Sequence, residues 1–225
     1  AFEGGGIYHG MRATTGAISQ VSIEPASGKP SILVIGGSKP EGICGSGMID
    51  LIAEMLKAGL IDNNGSLNRE KECEYIQEKG RKAVYYLNDE KEIFVSELDI
   101  ENIMRAKAAI FSAIMLLLGH IGMQSQDLKN VYIAGGFGKG LNLDNAIAIG
   151  LFPDIARNKY VYIGNASVLG SAMLLLSKDK NKLQREIIDM MTYIDLGNEP
   201  EYMNQYTASL FFPHTDFSLF PSIIK

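Results

Sequence analysis

The chain has 225 residues, enough to bury a sizeable core as one large domain or two small ones. With 46% hydrophobic and 21% charged residues it is an ordinary soluble globular composition, and a formal net charge of -5 without a basic cluster excludes a nucleic-acid or anionic-membrane surface. Cys44 and Cys73 are the only cysteines, too few for a disulfide framework or an iron–sulfur cluster, so reduced thiols and a cytoplasmic location are expected.

The opening AFEGGGIYHGMR has neither an initiating Met nor a signal peptide and reads as the middle of a longer protein. Gly4, Gly5, Gly6, Gly10 and Gly16 surround His9, Met11 and Arg12, a loop that either cradles a phosphate or simply connects two elements. From Ala17 to Glu24, Ile18, Val21 and Ile23 alternate with polar residues, and 31–35 is β-rich, which makes PASGKP the turn of a hairpin. In GICGSGMIDLIAEMLKAGLID, Ser46 precedes an amphipathic helix with Met48, Leu51, Ile52, Met55 and Leu56 on one face and Gly59 at its end. Its glycine-rich N-terminus offers unpaired N–H groups and a positive dipole end to a phosphate, while Gly45 and Gly47 fit close helix packing equally well. Cys44 stands where a thiolate would be stabilised or a small hydrophobe buried.

Residues from about 63 to 97 are more charged, with β-like runs at Tyr85, Tyr86, Ile93, Phe94 and Val95, and read as an inserted surface hairpin. Asp99 is expected to cap a long helix whose apolar face is Ile103, Ala106, Ile110, Ile114, Leu117 and Leu118, with a structural His120 near its end. Its apolar run from Ala108 to Gly122 is interrupted and too short for a bilayer, which predicts a core helix.

The segment NVYIAGGFGKGLNLDNAIAIGLFPD organises the chain. Val131 to Ala134 reads as a buried strand of a parallel sheet, ended by Gly135, Gly136, Gly138 and Gly140 around Phe137. Asn142 or Asp144 caps a following helix with Ile147, Ile149 and Leu151 on its apolar side. Strand, glycine turn and helix N-terminus together suit a nucleotide, and a tight turn that binds nothing is the alternative. Tyr160 to Ile163, then Gly164, Asn165, Ala166 and Ser167 leading into VLGSAMLLLS, repeat this logic, the signature of a layered α/β domain. A peripheral helix over 178–191 follows, and the tail PHTDFSLFPS is expected to pack back as a strap. His214 and Asp216 lack a third partner for a metal site or proton relay, so no metal ligand and no catalytic residue is assigned.

Taken in order, AFEGGGIYHGMRATTGAI, GICGSGMIDLIAEML, the glycine segment after Asn130, YIGNASVLGSAMLLL and PHTDFSLFPS resemble the C-terminal part of reductive activators of corrinoid proteins. These belong to the acetate and sugar kinase, heat-shock chaperone and actin superfamily. The resemblance implies a ribonuclease H-like layered α/β domain of the actin-like ATPase superfamily over residues 1–225, with the insertion at about 63–97. It also implies ATP with Mg2+, used to drive reduction of a cobalt(II) corrinoid to cobalt(I). Carried onto this chain, Gly135, Gly136, Phe137 and Gly138 fall in the adenosine motif. Gly45, Ser46 and Gly47 fall in the segment leading to the interdomain helix, and Glu3, Gly4, Gly5 and Gly6 follow the second phosphate-binding strand. No Asp-X-Gly-Thr phosphate loop, first ribonuclease H-like half or cysteine-rich ferredoxin domain is present in the sequence, so the metal-binding Asp and the iron–sulfur cluster are expected upstream.

The reading is the nucleotide-binding portion of an activator whose partner is a corrinoid protein, either a corrinoid iron–sulfur protein or the corrinoid subunit of a methyltransferase. A small-molecule kinase of the same superfamily is the alternative, as is an interaction module forming a homodimer through the 63–97 insertion and the apolar tail. Such a kinase would need a catalytic Asp, whereas Asp144 and Asp154 read as a cap and a turn residue.

Overall fold

A computed structural model describes residues 4–80, 82–136 and 140–223. Alternating residues make β1 (Ala17–Ile23) the centre of a three-stranded sheet, with β2 (Pro30–Val34) antiparallel on one edge and β3 (Gly42–Ile43) parallel on the other. The expected hairpin is therefore present, pairing Ile23 with Pro30 and Val21 with Ile32. The first glycine loop and β3 lead into α1 (Gly45–Lys57), whose apolar face lies on β1. Its C-cap is Ala58, and Gly59 takes the left-handed φ of +66° that ends a helix cleanly.

The charged stretch after α1 forms more than a hairpin. β4 (Ile76–Lys79), β5 (Lys82–Tyr86) and β6 (Phe94–Ser96) make an antiparallel meander. Ala83, Tyr85, Leu87, Ile93 and Val95 are buried in the main core, so its inner face is structural. Val84 and Phe94 on the other face are buried as well, and the charged residues that disguise this burial lie mostly in the connections, with Glu78 and Lys79 exposed at the end of β4.

α2 (Glu97–His120) begins one turn earlier than expected, because Ser96 is the N-cap and Asp99 is the third helical residue. Ser96 Oγ accepts from the Asp99 amide while the Asp99 carboxylate accepts from the Ser96 amide, a reciprocal capping box. By length and composition α2 could cross a bilayer, yet it is a core helix: Ile100, Ile103, Ala108 and Phe111 are buried and α6 (Tyr202–Ser209) packs along it.

β7 (Val131–Ala134) and β8 (Tyr160–Gly164) pair in parallel, with α3 (Leu143–Ala148) between them in sequence. Only one face of β7 is covered: Ile133 is buried and Tyr132 is exposed. α4 (Ala166–Leu176) and α5 (Lys178–Met190) finish the layer, and neither has a buried residue.

The core has two parts. The larger joins β1, α1, the meander and the first turns of α2; the smaller gathers Phe111, Ile133, Ile147, Ile155, Tyr160 and Phe220. The tail is the expected strap, delivering Phe212 to the first part and Phe220 to the second. Among the strap's polar groups, His214 Nδ1 accepts from the Asp216 amide at 2.9 Å, a local turn bond.

Candidate functional site

The three glycine segments singled out by the sequence adjoin one another. Loop 4–11 runs beside β3, where Ile43 N donates to His9 O at 2.8 Å and Met11 N donates to Ile43 O at 2.9 Å. Two residues after Ile43 the chain enters α1. The turn that follows β7 returns to the same place, since a Cβ built on Gly140 would lie 3.6 Å from Ser46 Oγ. Glu3, Phe137 and Gly138 lie outside the described residues.

Packing accounts for some of these glycines and leaves others unexplained. A Cβ on Gly47 would stand 2.4 Å from Ile18 O, so the close seat of α1 on β1 demands glycine there. Gly4 combines a φ of +91° with a would-be Cβ contact of 2.6 Å to Met11 N and is equally structural. Gly135 needs glycine for its φ of +97°. Gly5 and Gly136 have neither constraint: no left-handed φ is present and, among the described residues, a Cβ would meet open space. The same holds for Gly119 and Gly170 on helices, but Gly5 and Gly136 stand in the loops of the candidate site.

The first turn of α1 is less open than its sequence suggests. Gly45, Ser46 and Gly47 are all buried, the N-cap Cys44 makes no side-chain capping bond, and Ser46 Oγ donates to Ser19 O at 3.1 Å. Cys44 Sγ lies 3.2 Å from Ser46 Oγ and is buried like a small hydrophobe. At the next glycine segment Asn142 is the cap, its side chain accepting from Asn145 N at 3.2 Å, and Asp144 instead pairs with Arg157 at 2.9 Å.

A cavity of about 650 Å³ opens from Gly140 between the β1–β2 hairpin and the facing helices, lined by Gln20, Asp50, Glu54, Asn142 and Asn145 among others. Asp50 is buried, and its carboxylate accepts from Asn145 Nδ2 at 2.7 Å. Burial raises the Asp50 pKa against the opposing bonds from Asn145 and the Val21 amide. Asn145 Oδ1 accepts from Lys57 Nζ at 2.7 Å, and Lys57 also pairs with Glu54 at 2.7 Å. This network of two helices offers polar groups to a ligand beside the glycine turn. It escaped the sequence reading, although Asp50, Glu54 and Lys57 at i, i+4 and i+7 share one stripe of α1, which is a visible signal. Among the described residues no group of three or more His, Cys, Asp or Glu side chains is arranged for a metal ion.

The family model for the C-terminal domain of RACo, the ASKHA domain, matches residues 1–224. The chain belongs to that family. It is 34% identical over 225 residues to the corrinoid activation enzyme RamQ of Eubacterium limosum, covering 94% of this chain and 38% of that protein. It is 28% identical to a [Co(II) methylated amine-specific corrinoid protein] reductase of Methanosarcina barkeri, covering 93% of this chain and 40% of the relative. A solved structure titled reductive activator for corrinoid, iron–sulfur protein superposes with a TM-score of 0.90 at 43% identity, over 98% of this chain and 36% of that one. The chain thus spans well under half the length of these relatives. The actin-like ATPase fold expected from the sequence is the fold of this RACo-type ASKHA domain, and nucleotide and metal binding in general go with it.

Proposed function

We propose that this ASKHA domain is the nucleotide-binding part of a longer, ATP-dependent activator that reduces a cobalt(II) corrinoid protein to cobalt(I). The observation that carries the reading is the pair Gly5 and Gly136, where neither backbone conformation nor packing accounts for the missing Cβ and a ligand would. In this reading Gly135 and Gly136 face the adenosine and Gly4 to Gly6 face the phosphates, while Glu3, Phe137 and Gly138 belong to the same motifs by sequence alone. Gly45, Ser46 and Gly47 form the wall that joins the two.

When bound, ATP with Mg2+ supplies the free energy for an otherwise uphill one-electron reduction. The residues of this chain recognise the nucleotide and bias a conformational equilibrium; the metal-binding Asp and the iron–sulfur electron donor lie on upstream sequence. Reduction is driven if the nucleotide state changes the affinity for one redox or ligation state of the partner. The partner is a corrinoid iron–sulfur protein or the corrinoid subunit of a methyltransferase, in the cytoplasm, and the activator is a homodimer, a state that sedimentation measures directly.

The test uses the full-length protein with a corrinoid partner and a chemical reductant, following cobalt(I) by absorbance. Cobalt(I) is expected to accumulate with Mg-ATP and to remain low without it. Accumulation at the same rate without nucleotide overturns the reading.

A further inference from the structure

The first glycine loop is tied to a helix more than 90 residues further along the chain. Asn102 Nδ2 donates to Gly6 O at 2.7 Å, and Asp99 Oδ1 accepts from Tyr8 N at 2.9 Å. Both residues stand on the first two turns of α2. The other oxygen of Asp99 accepts from the Ser96 amide at 2.9 Å and from Ser96 Oγ at 2.7 Å. Asp99 is buried, and these bonds occupy both of its oxygens with neutral N–H and O–H donors, which hold the carboxylate in place.

Ahead of the two ties the turn is bare. Gly4 and Gly6 have φ of +91° and +78°, Gly5 is exposed, and among the described residues neither the Gly5 nor the Gly6 amide has a hydrogen-bond acceptor. Consecutive glycines of this kind lose much backbone entropy when a ligand fixes them. A turn already fixed by the protein avoids that loss at the moment of binding. Asn102 does more than immobilise: it keeps the Gly6 carbonyl oxygen on the α2 side, where its negative end does not face an anion approaching Gly5.

We propose that Asn102 and Asp99 are positioning residues, which hold the Gly4–Tyr8 turn in the form that receives a nucleotide phosphate. The inference rests on the nucleotide reading above and adds that α2, outside the glycine motifs, sets the geometry of the phosphate end. A purely structural role makes a different prediction, because Ile103 supports the same helix from the core without bonding the turn or Asp99.

The experiment uses the full-length protein with Mg-ATP as the probe. It measures nucleotide affinity, the KM and kcat of ATP hydrolysis, and the melting temperature without nucleotide. Asn102→Asp retains size but replaces the donor to Gly6 O by a charged acceptor, which releases the turn and adds a negative charge beside it, and should weaken Mg-ATP binding roughly tenfold or more, while Asn102→Leu, which removes the donor without adding charge, should still weaken it several-fold. KM should rise more than kcat falls. Asn102→Gln, which restores an amide donor, should recover part of the affinity. Ile103→Val, which thins the core under α2, should lower the melting temperature and leave affinity unchanged. Gly5→Val, tolerated because a Cβ there meets open space among the described residues, should weaken binding and so report on the turn itself. If Gly5→Val weakens binding and Asn102→Asp does not, the positioning role is overturned while the phosphate reading survives. If both variants bind as the wild type does, the turn is not at the phosphate and both ideas fall. A loss of affinity in Ile103→Val equal to that in Asn102→Asp also overturns the proposal, since helix stability would then explain it.

Discussion

Lys107 Nζ donates to Pro213 O at 2.6 Å, and the side chain that carries it is wholly buried. Phe211 O accepts from the same nitrogen at 2.6 Å, so α2 grips the strap on both sides of Phe212. No carboxylate pairs with this lysine among the described residues, and burial pulls its pKa from 10.5 down to about 7. Beside it, burial and the Lys107 charge lower the pKa of His214, whose Nε2 has no partner.

These shifts fix the sign of a pH dependence. Between about 7 and 10.5 the unfolded chain holds a proton on Lys107 that the folded protein has released, so stability rises with pH across that window. His214 adds a loss of stability as pH falls below 6.5, because its depressed folded pKa favours the neutral ring. The melting temperature should therefore climb between neutral pH and about pH 9.5, and Lys107→Met should flatten that climb. The variant should also lose about 2 kcal/mol at the alkaline end, where the Phe211 and Pro213 carbonyls are left without their donor. A climb of undiminished size in Lys107→Met would refute the assignment.

The glycines divide into two experimental classes. Gly47→Ala forces a Cβ against Ile18 O, for which the built distance is 2.4 Å, and should destabilise the domain by about 2 kcal/mol with or without nucleotide. Gly136→Val meets no neighbour among the described residues and no left-handed φ, so the variant should melt with the wild type when nucleotide is absent. In the full-length protein it should lose the rise in melting temperature that Mg-ATP gives the wild type by mass action. A folded Gly136→Val protein that kept the full rise would remove Gly136 from the nucleotide site.

The elements legible in the sequence were those set by local chemistry. Alternation marks β1 and β2, a 3.6-residue period marks α1 and α2, and glycines end β7. The cap of α2 was misplaced by three residues because Ser96 and Asp99 are both good capping residues, and in a capping box each bonds the other's amide. What could not be read were contacts between residues far apart: Asn145 with Asp50 is separated by 95 positions and Lys107 with Pro213 by 106. Neither pair leaves a periodic trace. The candidate site is intermediate, since the glycine segments were visible one by one, whereas the split between structural and unexplained glycines needed neighbours in space.

Leu175 and Leu176, each 87% exposed at the end of α4, sit on a helix without any buried residue. Nearby α5 exposes Leu183, Ile187 and Ile188 as well. Apolar patches of this kind drive association in water. The 225-residue chain on its own should self-associate with increasing concentration, and the double variant Leu175→Glu with Leu176→Glu should reduce that without lowering the melting temperature. Sedimentation velocity reads the first effect and thermal unfolding the second; a large drop in melting temperature would show that these leucines pack inside the folded chain.

Asp154 should be the anchor of the last residues of the strap. Its carboxylate is buried and accepts from Ser222 N at 2.6 Å, Ser222 Oγ at 2.8 Å and Arg157 at 2.6 Å, while Arg157 also reaches Ser222 Oγ at 2.9 Å. Burial alone would raise its pKa, but these bonds to the charged form outweigh it and the net shift is downward. The sign follows: the anchor is complete above the ordinary carboxylate value of 3.8 and is lost as pH falls through the lower folded value. Asp154→Ala leaves the Ser222 amide and part of the Arg157 guanidinium unpaired and should cost about 2–3 kcal/mol. Because Phe220 seats the strap in the smaller core, the loosening should spread along residues 217–223 and reach Phe111 and Tyr160 before it reaches β1. Hydrogen exchange followed by mass spectrometry separates the cases: faster exchange confined to the strap, β8 and the middle of α2 is expected, and uniform acceleration across the domain would show that Asp154 supports the whole fold instead of one end of it.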